Sequence, residues 1–514
     1  MKKANKPNVL ILLFVFIKIT LNFFAAPHFG FHRDELLHLA LADHLDWGYK
    51  EVPPFIAFLA KTSTLIFGNT VFAARIFPTI ASALIIWFTG LITYELGGQI
   101  FAIALACLAL IFSPAMAASG YLFQPVVFDQ LWWVLSVWLL IKHLNTTSNS
   151  YLYLLGIIVG IGLLTKYTMA FFTFALIGGI LISKQRKLLV NKHILGAALI
   201  ASILFLPNII WQFQHHLPLI THMKALKKSQ LDYISPGSFI KQQLTVHGIA
   251  LFVWLAGFIF LLFSRHLQKF KFLAFAYLLI FIFLLEMNGK NYYLFGAYPM
   301  LFAAGGFAFE RIIKAPNYTI RIFTIALFII PNVLLLPLVL PILPLKQTLA
   351  AIQFYSRNIP ALRFFVTWED QKQHPLTQDY ADMFGWEEMV AKTAKIYQNL
   401  TPAERAQTAI FADNYGEAGA FQHFGLKYQL PTIVCLNSSF ALWAPNNFSP
   451  KNLIYISDDK DVSDLNPLVG SSYLMDEITN PMAREFGTGI FLLKDIKPGL
   501  RKIYKQHLQQ SREE

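Results

Sequence analysis

Charge is scarce in this chain. Only 14% of its 514 residues are Asp, Glu, Lys or Arg, against about 25% in an ordinary soluble domain, so a water-soluble globule of this length is not expected. Acidic residues are scarcer still, 29 against 42 basic ones, for a formal net charge of +13. Cysteine is almost absent: Cys107 lies in an apolar run and Cys435 in the C-terminal part. Two such residues make no disulfide framework, and no Cys-x-x-Cys metal spacing exists. The chain shows no internal repeat and no low-complexity stretch. Its C-terminal part has no Gly-x-Gly-x-x-Gly loop or Walker motif, so no nucleotide site is expected there.

What is abundant is apolar sequence. Hydrophobic residues make up 56% of the chain and aromatic ones 15%, and they are unevenly spread. Apolar runs fill most of the first ~345 positions, whereas the last ~170 read as an ordinary soluble sequence; a run of about 20 apolar residues spans the ~30 Å hydrocarbon core of a bilayer. The expected spans are 8–26, 70–95, 100–118, 124–144, 151–165, 168–183, 193–212, 246–264, 271–286, 293–311 and 320–343. These are about eleven helices in a polytopic membrane domain, residues 1–345, followed by a small α/β extracytoplasmic domain, residues 346–514.

Sidedness follows from the basic residues. With the N-terminus in the cytoplasm, the inner loops hold Lys142, then Lys184, Arg186, Lys187 and Lys192, then Arg265, Lys269 and Lys271, then Arg311, Lys314 and Arg321, as the positive-inside rule requires. An odd number of spans then puts the C-terminal domain outside an inner (plasma) membrane. The basic surplus is thus explained by orientation, and nucleic acid is not an expected partner. Segment 213–245 is the exception, with Lys224, Lys227, Lys228 and Lys241 on the outer side. Either one span is miscounted or these lysines meet something anionic. The first run, Val9–Phe24, follows Lys2, Lys3 and Lys6; with no small-x-small cleavage site after it, it reads as a retained span.

The first outer loop, 27–69, is not plain. Leu36, Leu37, Ala40, Leu41 and Leu45 recur at helical spacing, and Pro53 and Pro54 open a second apolar stretch, Phe55–Phe67. Two amphipathic helices in the interface are expected. In the tail, Trp386–Leu400 has helical spacing, Ala409–Ala412, Thr432–Leu436 and Asn452–Ser457 are strand-like, and Asn414–Gly419 reads as a Gly-bearing turn.

Several charged residues are candidates for chemistry, each with a plainer alternative. In His32-Arg33-Asp34-Glu35, Asp34 caps the following helix or serves as a catalytic carboxylate, and the two roles are compatible. With Asp34 as cap, Leu37 falls where a capping box wants Glu or Gln. Glu51 belongs to a rigid solvated turn before Pro53-Pro54, or is a second carboxylate of the same pocket. Asp129 snorkels to the interface or marks a functional site, Lys166 reaches water on its long stem or serves the site, and Arg75 anchors the interface or binds substrate. Asn288–Tyr293 with Tyr298 forms an outer turn whose tyrosines fit an aromatic belt, although the belt leaves Lys290 unexplained. Asp34, Glu51, Arg75, Asp129, Lys166 and Lys290 all fall on the outer face under one topology. Acids and bases converging there suit a reaction on a lipid-linked phosphate, with cations holding the phosphate and a carboxylate taking a proton from a hydroxyl.

These stretches make the chain recognisable. It resembles the bacterial membrane glycosyltransferases of family 39, which include protein O-mannosyltransferases and the aminoarabinose transferase of lipid A. The resemblance runs through Phe31–Pro54 (FHRDELLHLALADHLDWGYKEVPP), Ala73–Pro78 (AARIFP), Gly162–Lys166 (GLLTK), Leu206–Gln212 (LPNIIWQ), Gly289–Pro299 (GKNYYLFGAYP), Asp382–Glu387 (DMFGWE) and Asn414–Ala420 (NYGEAGA). It implies a GT-C fold and a polyprenyl-phosphate-linked sugar as donor. The acceptor would be a lipid, glycan or protein on the outer face. It also implies Asp34 as the acidic residue of the catalytic centre, a general base or a group that orients the acceptor, with Glu35 beside it, and Lys290, Arg75 and Lys166 on the donor phosphate. Tyr292, Tyr293 and Tyr298 would line the groove with Glu51 and Asp129. The segment Tyr121–Asp129 (YLFQPVVFD) departs from the family's pattern, which leaves the part of Asp129 open. The expected reaction is inverting hexosyl or pentosyl transfer. No metal is expected, because no tight ligand spacing exists, although Asp34, Glu35 and Asp129 are oxygen ligands that could hold a divalent cation. The alternative class is a lipid or oligosaccharide transporter, which would need two symmetric halves around a midplane site; neither is visible.

Overall fold

An apolar run in hydrocarbon has to satisfy its own backbone N–H and C=O groups, and a helix does so. In the computed structural model, which describes residues 6–513, every expected span overlaps a helix, although the one expected over 293–311 starts at Tyr298 and the one expected over 320–343 ends at Leu335. Lys2 and Lys3 lie outside the described residues. Helix α1 (Lys6–Ala25) leads into α2 (Arg33–Ala40) and α3 (Phe55–Phe67), the two helices expected in the first outer loop. Then α4 (Ile76–Glu95), α5 (Ile100–Ile111), α6 (Pro125–Thr146), α7 (Ser150–Leu163), α8 (Thr168–Ile182) and α9 (Lys192–Gln214) run back and forth. The short α10 (Pro218–Ser229) and α11 (Pro236–Thr245) precede α12 (Leu251–Phe263), α13 (Phe272–Glu286), α14 (Tyr298–Ile312) and α15 (Tyr318–Leu335). Among the described residues, five helices are long and apolar enough to cross a membrane, or six if the pair Pro236–Thr245 and Gly248–Phe263, bent by 98°, counts as one span. The other expected spans are helices of 12 to 15 residues. One expected span, 100–118, is broken at Ser113, where Pro114 starts a separate short helix. Small residues let these helices approach closely: a Cβ on Gly257 would lie 1.9 Å from the Leu301 carbonyl oxygen, and one on Gly305 2.0 Å from that of Val253.

The two ends of the bundle differ. At one end, Lys142 pairs with Glu95 at 2.9 Å, Lys269 donates to Asn145 at 2.9 Å, and Gln185 donates to the Lys269 carbonyl at 3.2 Å. These are the basic loops expected inside. The opposite end carries α2, α3, α10, α11 and the tail. His222 of α10 lies in the field of both Lys50 and Lys290, so the segment that carries Lys224, Lys227 and Lys228 sits at this end.

The tail holds α16 (Leu345–Asn358), α17 (Trp386–Gln398), α18 (Tyr415–Phe424) and α19 (Pro498–Glu513) with a five-stranded sheet. Its strands are β1 (Thr408–Ala412), β2 (Ile433–Cys435), β3 (Asn452–Ser457), β4 (Ser471–Glu477) and β5 (Gly489–Lys494), in the order β2-β1-β3-β5-β4. β1 runs parallel to β2 and β3, with Ile410 opposite Ile433 and Ile454, and β5 is antiparallel to β3 and β4. The sequence did not announce β4, β5 or α19. The supposed turn Asn414–Gly419 is the first turn of α18. Asn414 Oδ1 accepts from the Gly416 and Glu417 amides at 2.9 and 3.1 Å while Glu417 accepts from the Asn414 amide at 3.2 Å, a capping box. One apolar cluster runs from Ile11 and Phe14 of α1 through Leu36 and Leu37 of α2 to Trp386, Ile410 and Ile454 of the tail, so α2 is roofed by the tail as well as seated on the membrane helices.

Candidate active site

Everything at this end turns on how α2 is held. Its N-cap is His32, whose Nδ1 accepts from the Asp34 amide at 3.1 Å, and Glu35 at the third helical position returns a carboxylate oxygen to the His32 amide at 2.9 Å. The capping box read as missing is therefore present, two residues earlier than an Asp34 cap would give. Glu35 goes further. Its carboxylate takes Nε and Nη2 of Arg75 at 3.1 and 2.8 Å and the Phe123 amide at 2.9 Å, with both side chains fully buried. Burial alone would raise the Glu35 pKa, but the Arg75 guanidinium and these donors hold it below the usual range. Arg75 also donates to the carbonyls of Ala26, His28 and Gly30 at 3.0, 3.4 and 2.9 Å. Its five N–H groups are thereby used. Glu35 and Arg75 were expected at the reacting centre, but neither reaches an open space.

With Glu35 turned inward, Asp34 points the other way. Tyr415 of α18 donates to one of its oxygens at 2.9 Å and Gln124 to the other at 3.1 Å. Desolvation works against ionisation of Asp34, yet the fields of His32, His38 and Arg33 and the Tyr415 hydroxyl outweigh it and keep its pKa below the ordinary value. The carboxylate is ionised at neutral pH. The Arg33 guanidinium lies 4.5 Å from the Tyr415 ring centroid, and its Nε has no hydrogen-bond partner. Tyr415 can reach this point because α18 packs directly on α2: a Cβ on Gly419 would come within 2.9 Å of the Leu36 backbone. Phe123 and Gln124, which hold Glu35 and Asp34, fall in the segment that departs from the family's pattern.

Next to Asp34 are the cations. Lys290 lies in the fields of Glu369 and Asp34, and burial lowers its pKa while the two carboxylates oppose it. Lys290 Nζ is 5.9 Å from the Tyr292 ring centroid, and Lys166 Nζ is 4.8 and 4.9 Å from those of Tyr292 and Tyr293. Cation–π contacts are worth about 0.5–2 kcal/mol. Neither ammonium has a salt-bridge partner among the described residues. Burial raises both tyrosine pKa values, so the phenols stay protonated. Asp129 faces Lys166 from the start of α6, its oxygens accepting from Thr168 at 2.6 Å and Trp133 at 3.0 Å. Asp34, Lys290, Tyr292, Tyr293, Lys166 and Asp129 thus form one contiguous series.

Two expected groove residues lie elsewhere. Tyr298 is fully buried in α14, donating to Gln243 at 2.7 Å, with its ring 4.0 Å from that of His247. Glu51 accepts from Ser439 of the tail at 2.7 Å, its other oxygen is buried without a partner, and burial raises its pKa. The suggestion that Asp34, Glu35 and Asp129 together hold a cation does not survive. Glu35 is spent on Arg75 and backbone amides, and among the described residues no three His, Cys, Asp or Glu side chains form a metal-binding group. Gln124 and Tyr415 are the partners the sequence reading missed; both lie in stretches it had quoted, but nothing in their spacing marked them.

Two crystal structures share this arrangement of helices and tail. They are ArnT from Cupriavidus metallidurans bound to undecaprenyl phosphate and the same protein in the apo state. The TM-score is 0.62 for both, at 12% and 13% identity, over 94% of this chain and 97% of theirs. The chain has the ArnT fold. This is the GT-C architecture that the resemblance implied, in a multi-pass membrane protein. The model of the family described as dolichyl-phosphate-mannose-protein mannosyltransferase matches residues 51–211, a stretch that includes Arg75, Asp129 and Lys166 but neither Asp34 nor Lys290. No curated protein matches the chain by sequence.

Proposed function

We propose that this protein is an inverting glycosyltransferase that takes a sugar from a polyprenyl-phosphate carrier and delivers it to an acceptor at the outer membrane face. The observation that carries the reading is the pair of unbridged ammonium groups, Lys290 and Lys166, flanking Tyr292 and Tyr293 beside the ionised Asp34. The shared fold with an ArnT that binds undecaprenyl phosphate, and the mannosyltransferase family match, support a lipid-phosphate donor.

In this reading the donor phosphate lies against Lys290 and Lys166, and the tyrosines floor the groove. The acceptor oxygen attacks the anomeric carbon as the carbon–oxygen bond to the phosphate breaks. The bonding electrons leave with the polyprenyl phosphate, whose added negative charge the two lysines stabilise. The hydroxyl proton passes to Asp34, held in aim by Tyr415 and Gln124. One carboxylate on the side away from the leaving group suits a single displacement, hence inversion. Glu35 and Arg75 fix α2, and Asp129 steers Lys166. No step calls for a metal. The test is reconstitution in vesicles with an undecaprenyl-phosphate sugar. Asp34→Asn is expected to fold, retain the donor and lose transfer, and Lys290→Ala to weaken donor retention about 10- to 100-fold, the range for losing one charged hydrogen bond. Normal transfer by a folded Asp34→Asn variant would remove the base, and sugar-lipid translocation without sugar release would remove the enzyme.

A further inference from the structure

The lysine-rich stretch between α9 and α12 has no part in the chemistry above, yet it is held in a definite place. α10 begins at Pro218, just past the end of the membrane-spanning α9 at Gln214. α11 meets the following membrane helix at a bend of 98°, which lays it across that helix and so along the membrane surface. One side of each short helix faces the protein. On α11, Phe239 is buried with its ring 5.6 Å from that of Phe281, and the buried Gln243 donates to the Asn291 carbonyl at 3.1 Å while accepting from Tyr298 at 2.7 Å. Asn291 stands between Lys290 and Tyr292, so α11 braces the turn that carries them. On α10, His222 feels the charges of Lys50 and Lys290.

The other side of each helix is bare. Ile220, Met223, Lys224 and Lys227 of α10 are exposed at positions i, i+3, i+4 and i+7, one stripe of a helix, with exposed Lys228 at its edge. On α11, Ile240, Lys241 and Leu244 are exposed together, and Tyr233 between the two helices is 80% exposed. Asp232 is the only acid between Phe213 and Thr245. None of these four lysines has an ion-pair partner among the described residues. A soluble anion would answer the charges but leave the five large apolar side chains in water. A leaflet with phosphate head groups answers both. Apolar side chains and lysine stems sink to the acyl boundary while the ammonium groups reach the phosphates. A leaflet of net negative charge is favoured over a zwitterionic one by about fivefold for each lysine at its surface.

We propose that α10 and α11 form a docking face for anionic phospholipids of the surrounding leaflet, and that lipid seated on it steadies the turn carrying Lys290. The catalytic weight of that turn rests on the reading proposed above, but the lipid claim does not, and its test needs no sugar donor. The protein in nonionic detergent is offered equimolar phosphatidylglycerol and phosphatidylcholine of the same acyl chains, and retained lipid is counted by native mass spectrometry. Hydrogen exchange of the amides of 289–297 is then followed in nanodiscs of either lipid. Wild type is expected to retain phosphatidylglycerol in preference, and exchange across 289–297 to slow in its presence. The triple variant Lys224→Gln, Lys227→Gln, Lys228→Gln is expected to lose about fivefold in retention per lysine and to show no slowing. A control with Lys184→Gln, Lys187→Gln and Lys192→Gln, at the opposite end of the bundle, should show the wild-type slowing. Should the triple variant fail to fold, Lys241→Gln on α11 makes the same test. Equal retention of phosphatidylglycerol by wild type and the folded variant, its displacement by soluble polyglutamate, or exchange that ignores the lipid overturns the inference. So does slowing that the lysine variant keeps or the control loses. Absence of sugar transfer in wild type, with both lipid results intact, would instead overturn the glycosyltransferase reading.

Discussion

Replacing Arg75 by Ala separates two roles that look alike in sequence: a cation for the donor phosphate and a strut for the first outer loop. The structure fixes the expected size. Arg75 makes two bonds to Glu35, at 3.1 and 2.8 Å, and three to backbone carbonyls at the turn between α1 and α2. Both partners are fully buried, so the truncation strands an ionised carboxylate out of water. Breaking such a pair from one side costs about 3–5 kcal/mol, most of it the penalty on the charge left behind. Because Glu35 also accepts from the His32 and Phe123 amides, the loss loosens both α2 and the loop that carries Gln124. Thermal unfolding in detergent, followed by tryptophan fluorescence, is expected to shift well below wild type for Arg75→Ala. Arg75→Lys should recover little, since one ammonium cannot reproduce the fork. Lys290→Ala is expected to unfold normally and lose donor retention. The reasoning is refuted if Arg75→Ala unfolds at the wild-type temperature yet fails to hold undecaprenyl phosphate.

Two further perturbations read charge. Tyr415→Phe removes a donor that helps hold the Asp34 pKa down, so the base protonates at a higher pH; the acidic limb of the kcat/KM profile should move upward, and an unmoved limb would detach Tyr415 from the base. Glu417 in the tail is fully buried with one oxygen unpartnered, and burial followed by the charge of Glu485 raises its pKa well above 4.5. A carboxyl whose folded pKa is raised costs stability as pH climbs above its unfolded value of about 4.3. Glu417→Gln should therefore unfold at a higher temperature than wild type at pH 8, with the gain vanishing near pH 4; a destabilised variant at pH 8 would contradict the sign.

The membrane helices were legible because hydrocarbon forces length and composition on a span. The reacting series was legible in part. Asp34, Lys166, Lys290, Tyr292 and Tyr293 announced themselves as polar groups sharing one end of the bundle. Glu35 and Arg75 sent the same signal for a different reason: they are 40 positions apart, and only the folded chain shows that they cancel each other. Tyr298 was drawn in by its neighbours in sequence, but it begins α14, which turns its side chain into the core. The tail was the least legible. Gly416 and Gly419 looked like turn residues, whereas they are small because α18 lies against α2, and the contact that delivers Tyr415 to Asp34 spans 381 positions.

The central claim is that Asp34 and the two unbridged lysines share one lipid-phosphate site. A structure of the protein bound to undecaprenyl phosphate measures it. The account predicts the phosphate within hydrogen-bond reach of Lys290, with Lys166 beside it and an open approach to Asp34. A phosphate seated instead on Arg75, or on the end of the bundle held by Lys142 and Glu95, contradicts it.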